Sequence, residues 1–259
     1  MKLYLKYIRI HIKSLLQYRA SFALLCFGQF FAPFLSFAGL YLLFHRFGTI
    51  AGHSFYEVAM CYAVTFLSYS LTEIIMRGFD SFAGLIRSAS FDRLLLRPQN
   101  LAVQVICSRF ELPRIGKFMQ GLVVLVIAVA GADIAWTPLK VLMLAEMILS
   151  GMIVFSAIFI AVATISFWTI EGIELANILT DGGRDASQYP LDIYRSGFRW
   201  FFTFIVPLGM ANYVPLQYIM GTSEYGAWTL FAPLYGLLFL VPCVGFWYFG
   251  VRHYKSAGS

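Results

Sequence analysis

RGFDSFAGLIRSASFDRLLLRP, residues 77–98, is a long charged segment set between apolar runs, and it carries a helical face of its own. Phe82, Leu85, Ile86 and Ala89 recur at the three- and four-residue spacing of one helix face. Arg77, Asp80, Arg87, Asp92, Arg93 and Arg97 keep the segment out of lipid. A short helix of this kind either docks in a groove of a soluble partner or lies on a membrane surface with no partner. The flanking sequence places it in a loop between membrane spans.

The chain is 60% hydrophobic, 18% aromatic and 12% charged. A soluble domain has roughly a quarter of its residues charged. So few charges cannot cover a water-facing surface of this size, which makes this an integral membrane protein. The first apolar run, residues 21–44, is too long for a signal-peptide core and leads into further spans, so it reads as a retained helix. Cys26, Cys61, Cys107 and Cys243 are scattered and form no Cys-x-x-Cys, the pattern of free buried thiols.

Outward from the opening stretch, the chain divides into six expected spans in a single domain of residues 1–259. These lie at about 21–44, 55–76, 115–132, 139–170, 198–212 and 227–250. Residues 1–19 form a basic amphipathic helix in the headgroup region, with Lys2, Lys6, Arg9 and Lys13 on one stripe beside Leu5, Ile8, Ile12, Leu15 and Leu16. The third span is short in apolar residues, and Arg114 and Lys117 are expected to snorkel from its start. The fourth is long enough to project beyond the bilayer. Residues 171–199 form a second polar segment, in which the Gly-Gly of DGGRD (181–185) predicts a turn. Pro207, Gly209 and Pro215 break the fifth apolar run. A span ending near Pro207, followed by a re-entrant piece through Asn212 and Tyr213, fits better than one straight helix.

Placing residues 1–19, 77–117, 171–199 and the C-terminus on one side gathers 17 of the 19 Lys and Arg there. This bias predicts that both termini are cytoplasmic. It accounts for the net charge of +6 without nucleic acid.

There is no P-loop sequence, so any ATP is bound by another subunit. The four histidines show no metal spacing. Glu146 lies inside span 4 and Gln29 inside span 1; each reads as either a path-lining group or a partner for another helix, as do Asn212 and Tyr213. Asp181, Asp185 and Glu174 leave open a lipid-headgroup enzyme acting with a divalent metal. That reading requires activity without an ATPase.

Two stretches carry a family resemblance: FDRLLLRPQN (91–100) and YPLDIYRSGFRWFFTFIVPLGMANYVP (189–215). With six expected spans, they resemble ABC export permeases of type 2, in the form that pairs with a separate ATPase chain. The resemblance implies an all-α membrane fold with an N-terminal interfacial helix, a cytoplasmic coupling helix after span 2, and a re-entrant segment between spans 5 and 6. It also implies a permease dimer, from identical or, more often, related chains, above two ABC ATPase subunits that hold ATP and magnesium. The setting implied is a bacterial inner membrane. Carried onto this chain, the coupling surface is Phe82, Leu85, Ile86, Phe91, Asp92 and Arg93. No cofactor of the chain's own is implied.

Overall fold

A computed structural model describes residues 9–10, 12–15, 17–50, 52–169, 173–223 and 226–255. The described residues are helical almost throughout and form no strands; Ile50 and His53 make an isolated bridge. Lys2 and Lys6 lie outside the described residues, while Arg9 and Lys13 are exposed.

The long helices are α1 (Arg19–Phe47), α2 (Phe55–Asp80), α6 (Ile115–Gly131), α7 (Pro138–Ile165) and α12 (Tyr235–His253). With their adjoining turns, these five are long and apolar enough to cross a membrane. Between them lie the shorter α3 (Phe82–Arg87), α4 (Ser90–Leu95), α5 (Leu101–Ser108), α8 (Ile173–Ser187), α9 (Ser196–Trp200), α10 (Leu208–Ala211) and α11 (Tyr213–Met220).

Local chemistry sets the ends. Ser54 and Glu57 form a reciprocal capping box that starts α2. Thr137 caps α7 ahead of Pro138, and Asn100 caps α5. Gly221 closes α11 in the left-handed region.

The centre of the bundle is α2. It packs against α6 and α7, and α7 packs against α12. A run of small and hydroxylic residues lets α2 and α7 approach closely. Ser68 Oγ donates to the Ile148 carbonyl at 3.0 Å and Thr72 Oγ1 to the Met152 carbonyl at 3.2 Å. Gly151 faces Ser68, where a Cβ would sit 2.5 Å from the hydroxyl. In contrast, α1 touches chiefly α6 and the turn before it, and it leaves Leu24, Phe27, Leu35 and Leu42 exposed on a lipid-facing side.

Three sequence expectations change. Residues 171–199 are not a loop at one end of the bundle: DGGRD lies inside α8, which runs alongside α2 in the opposite direction. Asp181 meets Tyr69, Ser187 meets Thr65, and Asp192 meets His53, just before α2 begins. Residues 181–192 therefore climb from the level of mid-α2 to the far end. Their charges hid them, because hydropathy singles out only helices with an apolar surface. Second, α7 ends at Ile165 in a turn and does not continue to residue 170. Third, the span expected at 198–212 is α9, a π-turn at Phe201–Ile205, a break at Pro207 and α10, none of spanning length.

Candidate functional site along the central helix

A polar seam follows α2 from end to end. At the near end, where α3–α5 lie, Glu73 is buried with its side chain 3% exposed. Its carboxylate accepts from Lys117 Nζ at 3.0 Å and pairs with Arg114 at 3.3 Å and Arg77 at 3.8 Å. Arg77 also pairs with Asp80, and with Glu111 at 3.3 Å. Glu111 holds Arg114 and Arg109, each at 2.9 Å. Burial works to raise the Glu111 pKa, but the Arg114 hydrogen bond and the charges of Arg77, Arg114 and Arg109 outweigh it and hold it below the usual value. Gln29 of α1 accepts from Arg114 at 3.2 Å, so it serves here as a helix partner. Arg114 and Lys117 thus point into the protein as counter-ions for Glu73, where snorkelling to the interface was expected.

At mid-height, Tyr69 donates to Asp181 at 3.2 Å. Arg184 bridges Asp181 at 2.9 Å and Asp185 at 2.8 Å, with its guanidinium 5.2 Å from the Tyr69 ring centre. Asn177, Asp181 and Asp185 fall four apart and share the exposed face of α8. The Asp181 and Asp185 side chains are 52% and 61% exposed.

Higher up, Asn212 is buried, and its amide nitrogen reaches the Cys61 carbonyl at 3.1 Å, Thr65 Oγ1 at 2.8 Å and the Ser187 carbonyl at 2.9 Å. It pins three segments together. Tyr213 accepts from Gln217 at 2.8 Å and lines a cleft of about 660 Å³ with Asp192, Ser196, Arg199, Trp200 and Phe204. Beside it, His53 sits between Glu57 at 2.9 Å and Asp192 at 2.8 Å.

Glu146 is half-buried on α7, and among the described residues no hydrogen bond or ion pair reaches it. Among the described residues, no three His, Cys, Asp or Glu side chains converge as a metal-ligand set.

The opening stretch folds as the continuation of α2 into α3, a reversal at Ala89 (φ 52°) and α4. Phe82, Ile86 and Phe91 of the expected docking face are turned inward, buried by the chain's own residues. Phe82 packs on Phe91, Phe167 and Trp247 with ring centres 5.0–5.2 Å apart, and Phe91 packs on Tyr254. Such rings release the most free energy when buried, so the chain's own core takes them first. Leu85 is half-buried, Asp92 accepts from Tyr254 Oη at 3.0 Å, and Arg93 is exposed and bonds Ser90. The outward surface includes Arg93, Leu95 and Leu96, the last 84% exposed.

Sequence reasoning missed the Glu73 network and the α8 seam. The i, i+4, i+8 placement of Asn177, Asp181 and Asp185 is the signal that could have found the second.

No curated protein and no solved structure matches the chain. A family model described as ABC-2 family transporter protein matches residues 30–258. With that span and its apolar helices, the chain belongs to the ABC-2 family of transporter proteins, as a multi-pass permease component of an ABC transporter.

Proposed function

We propose that this chain is the permease subunit of an ATP-driven exporter, working as one half of a permease dimer above two separate ATPase chains that hold ATP and magnesium. The near end of the bundle is then cytoplasmic, with both termini on that side, and the far end is the outer face. The related-chain dimer is the favoured form.

The observation that carries this reading is the exposed acidic face of α8 beside the middle of α2. Each charge in hydrocarbon costs about 2.5–3.5 kcal/mol. That face therefore meets water and protein: a second permease lies across it, and the substrate path runs between. Segment 173–192 is the fifth crossing, polar because it lines that path. Residues 193–212 dip back from the outer end, and irregular backbone there is covered by protein on one side.

Coupling follows from continuity. Closure of the ATPase pair pushes on Arg93, Leu95 and Leu96. Phe82 and Phe91 fasten that tip to α2 and α12, so the push moves α2 as a body, and the contacts of α2 with α8 shift along the path. Arg9 and Lys13 rest on the anionic headgroups beside the ATPase.

The test is a mild-detergent pull-down from native membranes of the chain carrying a photo-cross-linking side chain in place of Ile178, irradiated before extraction. Ile178 lies on the exposed face of α8. The expected result is a cross-linked pair of permease chains with a P-loop ATPase bound. Recovery of an uncross-linked chain with no ATPase would overturn the proposal.

A further inference from the structure

The imidazole of His53 lies between two carboxylates: Nδ1 is 2.9 Å from Glu57 and Nε2 is 2.8 Å from Asp192. A neutral imidazole has one N–H and one lone pair, so it can donate to only one of them. Both contacts are satisfied together only by the imidazolium, which donates from each nitrogen. Loss of the proton turns a lone pair toward a carboxylate at hydrogen-bond distance.

The two sides of this clamp differ in rigidity. His53 is fixed by a tight turn, with reciprocal backbone hydrogen bonds to Ile50 at 3.0 and 3.2 Å across Gly52 at φ 85°. Glu57 is tied to the same turn through the Ser54 amide at 3.3 Å. Asp192 sits on a single turn, Leu191–Ile193, anchored on one side by buried Pro190 and Leu191 and leading on the other into α9, which has no buried residue. The contact thus joins a rigid post to a strap that is pinned before Asp192 and loosely held after it. The strap borders both the large cleft and a neighbouring one of about 200 Å³ lined by His53, Glu57, Asp192, Tyr213 and Gln217.

We propose that His53 is a proton-controlled latch: when charged it fastens the Asp192 strap to the first turn of α2 and narrows the mouth of the outer cleft, and when neutral it releases the strap.

The groups around it agree. From α2 it meets Glu57, and from the strap Asp192; the Tyr213 phenol of α11 lies behind Asp192, and the Cys61 thiol stands deeper on α2. The charged groups that bear on the imidazole are both anions; Arg199 faces the larger cleft. Burial works to lower the His53 pKa, but the hydrogen bonds to Asp192 and Glu57 and their charges outweigh it and raise it above 6.5. The sign follows. The latch is fully made below 6.5 and is lost as pH rises through the raised value in the folded chain. The side chains of His53, Glu57 and Asp192 are 20%, 25% and 32% exposed, so protons reach them from solvent.

The latch is read from this chain alone; its bearing on transport rests on the permease reading. The test is hydrogen–deuterium exchange of the full chain in lipid nanodiscs from pH 5.5 to 9, with rates corrected against an unstructured reference peptide. Protection of residues 189–194 is expected to fall by about tenfold as pH rises, the scale of one charge-assisted hydrogen bond. In His53→Gln it should stay low and flat. Asp192→Asn serves as a second variant and should also lose the response, since nothing anionic remains across the gap. A flat wild-type profile, or a variant that follows the wild type, overturns the latch. Coupled ATP hydrolysis by the assembled complex then separates the two ideas. An intact exchange response with a hydrolysis profile unchanged by His53→Gln keeps the latch and removes its role in transport.

Discussion

Replacing Glu73 should damage this protein more than replacing any one of the cations around it. Glu73 is a single buried anion serving three cations, with Lys117 at 3.0 Å, Arg114 at 3.3 Å and Arg77 at 3.8 Å. Among the described residues, Glu73→Ala leaves Lys117, whose side chain is 14% exposed, with the Tyr69 ring 6.0 Å away as its remaining partner. Breaking a buried pair from one side costs about 3–5 kcal/mol. Lys117→Gln strands nothing, since Glu73 keeps Arg114 and Arg77; its cost should be about 1.5–3 kcal/mol, that of one hydrogen bond to a charged group. The double variant should then cost less than the sum of the singles by about 1–3 kcal/mol. The assay is equilibrium unfolding of the four proteins in mixed detergent micelles, with helix content as the signal. A Glu73→Ala cost below about 1 kcal/mol, the size of a surface pair, would refute the reasoning, because it would mean that water already screens the network. Equal costs for Glu73→Ala and Lys117→Gln would refute the one-anion, three-cation account in particular.

Two further outcomes are expected. Leu95→Asp with Leu96→Asp should leave unfolding unchanged and abolish ATPase co-purification, whereas Phe91→Ala should destabilise the chain itself by about 3–5 kcal/mol, as for a buried ring; the reverse pattern would return docking to the inward face. Gly78→Ala places a Cβ on the Val105 carbonyl and should push α5 off α2, lowering stability by about 1–3 kcal/mol, while Gly84→Ala, with open space around it, should be neutral by the same unfolding assay.

Much of the fold was legible because its signals are local. The long apolar runs of α1, α2 and α7 and the break at Pro207 each declare themselves in neighbouring residues. The Glu73 network was not legible, since Lys117 lies 44 residues away and only the packing of α2 on α6 joins them. Glycine misled at DGGRD. Gly182 and Gly183 read as a turn, yet Gly183 is helical and its bare Cα admits Leu208, which a Cβ would meet at 3.2 Å. The charge count misled at the same place, because it assigned Arg184 to a loop when its partners are Asp181 and Asp185 on its own helix. The coupling face was half legible. The spacing of Phe82, Leu85 and Ile86 marks a buried face, but spacing cannot tell whether a partner or the chain itself buries it.

One property of α2 reaches beyond its contacts. From Phe55 to Arg77 it contains neither glycine nor proline, and most of its residues are buried, so the usual causes of a sharp kink are missing. A stiff rod held at one end obeys lever arithmetic: a tilt of about 5° at Asp80 sweeps Phe55 through about 3 Å over a length of roughly 39 Å. That sweep equals the length of the His53–Asp192 hydrogen bond. The two ends of the bundle are therefore geared together without intermediate parts, so a tilt at the near end reaches the His53–Asp192 contact directly.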